Sequence, residues 1–261
     1  MDINNEIMTD TRFLKRFTNG IDPPFCPEIL EIDPKLTNIP WLTVPVNRIE
    51  PDDWDVFWKL WEKCKFKSGK YNEVWESVCI WSNPNLTEEQ LKTEYPIISR
   101  QRLYDWSMHF PNMFKQINDA MPFLAIDKIF IASNIKEVPL HIDAVKKFYP
   151  WPNAMRVMLW DTNDRPTFYL AKWQEEMFNA PIITSNTPAF NQLYYNEKAK
   201  DEDKIYVDLP KESNTFVYSN GEFLHGADLA KPKIIMIIWG TPDPLKWKER
   251  LCEIVEHPLN K

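Results

Sequence analysis

The residues DKIFIAS (127–133) and VPLHID (138–143) mark the point where this sequence takes on a strand-like pattern. Both are short apolar runs rich in β-branched and aromatic residues, a composition typical of strands. Comparable runs follow without an intervening helix between most of them, which argues against a parallel βαβ sheet and favours a sandwich or barrel of seven or eight strands. These later runs are AMRVMLW (154–160), PTFYLA (166–171), KIYVDL (204–209), NTFVYS (214–219) and KIIMIIW (233–239).

The first half of the chain favours helices instead of strands. DDWDVFWKLWEKCKF (52–66) has large apolar residues at three-to-four spacing, and either Asp52 or Asp53 can cap the helix that this predicts. SRQRLYDWSMHFPNMFKQINDAM (99–121) predicts a second helix. We expect it to be kinked or broken at Pro111, because proline cannot donate the backbone hydrogen bond that a helix interior requires.

These patterns divide the chain into two regions of an α+β protein. Residues 1–125 are expected to form an irregular, proline-rich and helical region that packs on the core. Residues 126–261 are expected to form a β-strand core. An insertion at 172–205 interrupts this core and is too long for a tight turn, which suggests a lid or an added element.

Composition excludes several classes of function. The net charge is −7, from 31 basic and 38 acidic residues, so a broad nucleic-acid surface is not expected. The five glycines form neither a dinucleotide-binding nor a P-loop motif. The four cysteines include no CxxC pair, and no apolar run approaches the roughly 18 residues of a membrane span. We therefore expect a cytoplasmic protein with reduced thiols and no membrane partner.

Two of the four histidines stand in positions that suit a metal ion. His141 and Asp143 are two apart in a predicted strand, so their side chains leave the same face. His225 lies 84 residues later, after an Asn220-Gly221 dipeptide that predicts a hairpin. Two histidines and one carboxylate are the ligand set of non-haem Fe(II) oxygenases, which keep positions open for cosubstrate and dioxygen. Either histidine could instead satisfy a turn or a neighbouring side chain.

Two cations in apolar strands suggest where an acidic cosubstrate would bind. Lys233 begins the very apolar run 233–239, and Arg156 lies amid apolar neighbours. Burying either charge is costly unless an anion meets it. A 2-oxo dicarboxylate would supply such an anion. The alternatives are that Lys233 reaches water at the strand end, and that Arg156 pairs with Asp161 or Asp164.

The order of these motifs resembles the 2-oxoglutarate and Fe(II)-dependent oxygenase superfamily. An HxD motif is followed by a strand with a cation, then TFYL, then a distal histidine with a cation on the next strand. The segments PNAMRVMLW (152–160) and NTFVYSNGEFLHGADLAKPKIIMIIWG (214–240) resemble the prolyl hydroxylase and aspartyl/asparaginyl hydroxylase branches. The resemblance covers about residues 125–240. It implies a double-stranded β-helix, which is a distorted, cupin-like jelly roll.

The resemblance also implies a role for each candidate residue. His141, Asp143 and His225 would be the iron ligands. Lys233 would bind the far carboxylate of 2-oxoglutarate, with Arg156 as an alternative or additional anchor. Many members carry arginine at the anchor, with Ser or Thr two residues later, whereas this chain has Lys233 followed by isoleucine.

Two aromatic residues of the core strands are expected near this site. Tyr169 and Trp160 have strand positions that allow them to line the pocket. Together these features predict a dioxygenase that hydroxylates a peptidyl side chain or a small molecule, releasing succinate and CO2. Two other functions remain open: a non-catalytic jelly-roll binding module, and a cupin-type metalloenzyme that does not use 2-oxoglutarate.

Overall fold

The computed structural model describes most of the β-rich half of the chain and part of the first half. The predicted irregular segment 1–40, the Asn220-Gly221 hairpin turn and parts of the 172–205 insertion lie outside the described residues. The described residues are 41–68, 75–87, 103–144, 154–171, 182–187, 190–195, 200–209, 215–218, 224–229 and 231–256.

Three α-helices and thirteen β-strands occur in this described part. The helices are α1 (Trp54–Cys64), α2 (Pro111–Ala120) and α3 (Pro244–Glu256). The strands are β1 (Trp41–Thr43), β2 (Phe66–Ser68), β3 (Trp75–Ser82), β4 (Phe123–Asn134), β5 (Val138–Ala144), β6 (Ala154–Asp161), β7 (Phe168–Ala171), β8 (Ile182–Thr187), β9 (Phe190–Tyr195), β10 (Lys204–Tyr206), β11 (Thr215–Tyr218), β12 (Leu224–Ala227) and β13 (Lys233–Pro242).

The strands form two sheets in which all described pairs are antiparallel. Sheet A has the order β1-β11-β6-β13-β4-β3-β2, and sheet B has the order β10-β7-β12-β5-β9-β8. Eight of the strands pair in a nested way, the first with the last: β4 with β13, β5 with β12, β6 with β11 and β7 with β10. The expectation of a mixed α+β protein with an antiparallel β core is confirmed at this level.

Part of the 172–205 insertion extends sheet B. Strands β8 and β9 form an antiparallel pair, and β9 continues the sheet beside β5. No strands were predicted here from the sequence. Asn186, Asn191 and Gln192 interrupt the β-branched and aromatic residues of β8 and β9, and the edge of β5 provides a strand with which β9 pairs.

One side of sheet A packs against the helices in the main hydrophobic core. On β13 this side carries Ile234, Met236 and Ile238, which alternate with residues on the other side, as strand geometry requires. From α1 and α2 the same core receives Phe57, Trp61, Met113 and Ile117. Trp58 contacts Trp160 edge-to-face at 4.9 Å between ring centroids, so Trp160 lies on this helix-facing side.

The opposite side of sheet A packs against sheet B. This side, hereafter the inner side of sheet A, carries Cys79, Phe130, Ile237 and Trp239, which cluster together. Trp75 shares the strand parity of Cys79 and packs against the buried residues Val138 and Ala227 of sheet B. The two sheets therefore form a sandwich whose interior lies between this inner side and the Ala227 side of sheet B.

Two neighbouring aspartates cap two different helices. The carboxylate of Asp53 accepts hydrogen bonds from the backbone N–H of Asp55 at 2.8 Å and of Val56 at 3.1 Å, at the start of α1. The carboxylate of Asp52 accepts from the backbone N–H groups of Asn112 and Met113 in α2. The helix predicted at 52–66 is confirmed, with observed ends at Trp54 and Cys64.

The second predicted helix is shorter than the pattern suggested. It begins at Pro111, the position where the sequence predicted a break, and residues 103–110 contain a turn and no helix. Proline is well suited to the first helical position, since its missing N–H is not needed there. In the described ranges, no helix has the length and apolar character that crossing a bilayer would demand.

Candidate metal centre

His141 and His225 are brought directly opposite each other on neighbouring strands. They are register partners in the antiparallel pair of β5 and β12. Residues paired in this way project from the same side of a sheet. Both side chains are buried, with 5% and 3% of their surface exposed, and their ring centroids are 4.1 Å apart. Tertiary pairing thus joins two histidines separated by 84 residues of sequence.

This separation is compatible with two ligands of one ion. An imidazole nitrogen binds a transition metal at about 2.1 Å, so its ring centroid lies about 3.2 Å from the ion, and two centroids at a right angle lie about 4.6 Å apart. The observed 4.1 Å is close to this value. The histidine side of sheet B is also the Ala227 side, which faces the sandwich interior.

Asp143 follows His141 by two positions on the same strand. Its backbone pairs with Gln192 of β9, so strand β5 continues past the histidine as the HxD pattern requires. The side chain of Asp143 lies outside the part of the structure that is described. Among the side chains that are described, no group of three His, Cys, Asp or Glu residues forms a metal-binding cluster.

Lys233 is a buried cation at the first position of β13. Only 2% of its surface is exposed, and its Nζ donates a hydrogen bond to Oγ1 of Thr167. Burial lowers the pKa of Lys233 to about 8, and the nearby charges of Asp161 and Asp228 only partly offset this effect. A buried ammonium held by a single described hydroxyl suits an anion as an additional partner.

Arg156 lies on the same inner side of sheet A but farther along the strands. It is 5% exposed and is the register partner of Ile237, four residues from Lys233. Of the two carboxylates considered as its partners, Asp164 pairs with Lys231 at 2.9 Å. Asp161 lies at the opposite end of β6, where it is the register partner of Lys233.

Tyr169 lies on the side of sheet B that faces away from the histidines. It is the register partner of Gly226, the residue after His225, so its side chain projects from the opposite side. A Cβ at Gly226 would lie only 2.6 Å from the Tyr169 hydroxyl, which shows how closely the ring covers this glycine. The structure therefore does not bring Tyr169 to the histidines, nor Trp160, which packs on helix α1.

A polar cluster surrounds Tyr169 on this outer side of sheet B. The Nζ of Lys204 lies 4.8 Å from the centroid of the Tyr169 ring and donates to Asp228 at 2.9 Å. The hydroxyl of Tyr206 donates to the same carboxylate at 2.7 Å. Burial raises the pKa of Tyr169 to about 12, so its phenol stays protonated. This cluster supports the strand that carries His225, and it reaches the interior only through the charge of Asp228 near Lys233.

Sequence reasoning missed three residues that the fold places in this interior. Phe168 lies 6.2 Å from His225 between ring centroids, and Thr167 is the partner of Lys233. Lys128 is 7% exposed on the inner side of sheet A, where its Nζ lies 4.7 Å from the ring centroid of Trp239. The available signal was the alternation in DKIFIAS, which puts Lys128 in phase with the apolar Phe130.

Comparison with known proteins gives no further guidance. No protein-family model matches this chain, and a search of curated proteins gives no match.

Proposed function

We propose that this chain is an Fe(II)- and 2-oxoglutarate-dependent dioxygenase that hydroxylates a peptidyl side chain or a small molecule, with succinate and CO2 as coproducts. The observation that carries the proposal is the buried pair His141 and His225, which are opposite each other on neighbouring strands with ring centroids 4.1 Å apart. Converging imidazoles joined by a nearby carboxylate are the ligand set of non-haem iron oxygenases.

The strand connectivity supports a jelly-roll or double-stranded β-helix core for this enzyme. In a jelly roll, a long antiparallel ribbon is wrapped so that its first strand pairs with its last, and the pairing continues inward. Here β4 pairs with β13, β5 with β12, β6 with β11 and β7 with β10. Strands β4, β6, β11 and β13 lie in sheet A, and the other four lie in sheet B.

The residues present fit an iron site. His141, Asp143 and His225 would hold the ion, two of them through neutral imidazoles inside the sandwich. When bound, the iron supplies the oxidation, in which dioxygen converts 2-oxoglutarate to succinate and CO2 and delivers one oxygen atom to a C–H bond. The ring of Phe168 beside His225 provides an apolar wall that keeps water from this region.

Lys233 would bind the far carboxylate of 2-oxoglutarate. Its ammonium is buried and oriented by Thr167, so it is positioned before the anion arrives. A cupin-type enzyme that uses no oxo acid has no need of a buried cation at this position. Arg156 remains an alternative anchor, because it lies on the same inner side of sheet A.

Anaerobic reconstitution tests this proposal. Protein with Fe(II) and 2-oxoglutarate is expected to develop a weak visible charge-transfer band and to release succinate when air is admitted. His141→Ala and His225→Ala should lose Fe(II) binding in equilibrium dialysis, whereas His109→Ala, at an exposed position, should bind normally. If His141→Ala keeps the wild-type affinity for iron, the ligand assignment is wrong.

The cosubstrate anchor is tested separately from the metal. Lys233→Ala should weaken 2-oxoglutarate binding and leave Fe(II) affinity unchanged. If Lys233→Ala leaves 2-oxoglutarate affinity unaltered and Arg156→Ala lowers it, the anchor is Arg156. Iron binding without any effect of 2-oxoglutarate would favour a cupin-type enzyme.

A further inference from the structure

The inner side of sheet A carries three buried cations, although the chain as a whole has a net charge of −7. Lys233, Arg156 and Lys128 are 2%, 5% and 7% exposed. Register pairing puts Arg156 beside Ile237 and Lys128 beside Trp239, so both share the side of β13 that carries Lys233. The three cations therefore form a row along the sandwich interior.

The order of this row can be measured along strand β13. At about 3.3 Å per residue, Arg156 lies about 13 Å from the level of Lys233, and Lys128 lies about 20 Å from it. Both are displaced toward the end of β13 that leads into α3. Lys233 itself is held at the other end by Thr167.

The histidine pair falls between Lys233 and Arg156 in this order. Trp75 packs on Ala227 and pairs with Asn134, which fixes Ala227 near the Lys233 end of the sandwich. His225 is two residues back along β12, about 7 Å farther from the Lys233 end. Because only residues 228–232 join β12 to β13, going back along β12 and going forward along β13 both lead away from that end, in the direction of Arg156. A cosubstrate bound between the histidines and Lys233 would thus leave the Arg156 side of the histidines for the second substrate.

We propose that Arg156 binds a carboxylate of the primary substrate, so that the substrate class is a carboxylic acid whose reacting carbon lies between Arg156 and the histidine pair. This inference rests on the proposed function for the place of the cosubstrate. A guanidinium is a planar fork of five N–H donors that matches a carboxylate, so its contacts within the chain and a bound carboxylate can be accommodated together. Lys128 lies farther out along the same row.

Two aromatic rings add a preference for an apolar body on this acid. Phe130 and Trp239 share the inner side of sheet A with Arg156, and both rings lie near the ammonium of Lys128, at 5.1 and 4.7 Å from centroid to Nζ. An acid with a flat or aliphatic body can pack on these rings while its carboxylate meets the guanidinium.

Matched acid and amide probes test the inference by calorimetric titration of protein loaded anaerobically with Fe(II) and 2-oxoglutarate. 3-Phenylpropanoate with 3-phenylpropanamide represents a free small acid. The N-acetyl, N-methylamide derivatives of aspartate and asparagine represent a peptidyl side chain. We expect at least one acid to bind about tenfold more tightly than its amide, or better, because charge-assisted hydrogen bonds are lost in the amide. Whichever acid–amide pair shows this preference identifies the substrate as a free small acid or as a peptidyl side chain.

Titrated with 2-oxoglutarate at a concentration that saturates the variant, Arg156→Gln should bind acid and amide about equally. Arg165→Gln, at an exposed arginine, is the matched control and should keep the preference. Absence of an acid preference in both probe pairs, or its persistence in Arg156→Gln, overturns the inference. If Arg156→Gln does not fold, Arg156→Lys, which keeps the charge and loses the planar fork, should lower the acid preference, and an unchanged preference in that variant overturns the inference.

Failure of the inference is distinguishable from failure of the proposed function. If the protein binds neither Fe(II) nor 2-oxoglutarate, the same titrations of metal-free protein still report whether acids are preferred and whether Arg156 is responsible. If iron and 2-oxoglutarate bind and no acid preference exists, the dioxygenase proposal stands and the substrate class is wrong.

Discussion

Lys233 donates a hydrogen bond from its buried ammonium to the hydroxyl of Thr167, which joins the first residue of β13 to the loop before β7. This contact links sheet A to sheet B at the end of the sandwich proposed to hold the far carboxylate of 2-oxoglutarate. The contact also preorganises the Lys233 ammonium for binding an anion, because the side chain is already held in one orientation.

Removing the hydroxyl partner of Lys233 should destabilise the protein. Thr167→Val keeps the shape of the side chain and leaves a buried ammonium without this acceptor, at a cost of about 1–3 kcal/mol in the free energy of unfolding. Urea denaturation measures the change. Thr162→Val in the same loop, at an exposed threonine, should stay within about 0.5 kcal/mol of wild type. Equal effects of the two variants would contradict a special role for Thr167.

The affinity for 2-oxoglutarate should depend on pH through Lys233. Its pKa is lowered by burial to about 8, so in the free protein the ammonium is lost as the pH rises above this value. Anion binding then requires uptake of a proton, and the affinity should fall by up to about tenfold per pH unit above pH 8. Titrations at pH 7 and pH 9 measure this. Lys233→Arg should give a flatter profile, because arginine stays protonated; an equally steep profile in Lys233→Arg would point to a different group.

Lys128 should destabilise the folded protein most at low pH. Burial lowers its pKa to about 7 from 10.5, so the folded state binds fewer protons than the unfolded state between these values. Stability of the wild type should therefore rise with pH from about 7 to 9, and the gain from Lys128→Met should be about 3 kcal/mol larger at pH 6 than at pH 9. Urea unfolding at both pH values measures the difference.

Cys79 limits the pH range of this experiment, and an exposed lysine provides the control. Burial raises the pKa of Cys79 to about 11, so its effect on stability begins only above about pH 9. Lys115→Met, at an exposed lysine of α2, should change stability by less than about 0.5 kcal/mol at both pH values. A gain from Lys128→Met that does not vary with pH would show that Lys128 titrates normally.

The two capping aspartates should contribute independently. Asp53→Ala removes the cap of α1 and Asp52→Ala removes the cap of α2, each costing about 1 kcal/mol of unfolding free energy. Because the carboxylates serve different helices, the double variant should lose about the sum. Thermal or urea unfolding measures it, and Asn118→Ala on the exposed side of α2 is the control. A double variant no worse than one single variant would mean that one aspartate does the capping of both helices.

Gly226→Ala should disturb the strand that carries His225. A Cβ there would lie 2.6 Å from the Tyr169 hydroxyl and 3.0 Å from the carbonyl oxygen of Val138, so β12 or its neighbours must shift. We expect a loss of about 1–3 kcal/mol in stability and weaker Fe(II) binding. Adding Tyr169→Phe removes the closest atom and should recover part of both losses, as measured by unfolding and equilibrium dialysis. If the double variant recovers neither stability nor Fe(II) binding, the strain arises at the carbonyl oxygen of Val138.

Some local features were predictable because neighbouring residues alone decide them. The large apolar residues of α1 at three-to-four spacing predicted a helix, which occurs. Pro111 predicted a kink or break, and α2 begins at this residue. Which aspartate caps α1 was left open. Only the packing of α2 near Asp52 shows that Asp52 caps α2 while Asp53 caps α1.

The facing of strand residues was harder to predict. Tyr169 and Phe168 are adjacent, and one residue of register decides which of them shares the side of the histidines. The apolar character of TFYL is the same for either choice, so the sequence could not select Phe168. The same ambiguity hid Lys128, whose place in the interior follows from its pairing with Trp239.

By itself the sequence located seven of the thirteen described strands, and it showed that two histidines and an aspartate were available as ligands and that Lys233 and Arg156 interrupt apolar runs. It could do so because alternation and residue chemistry are local properties. Only the tertiary structure decided that His141 and His225 are opposite each other, that Thr167 meets Lys233, and that Tyr169 faces away. Those outcomes depend on strand pairing between distant segments, which is fixed by how both faces of each sheet are buried and not by any short stretch of residues.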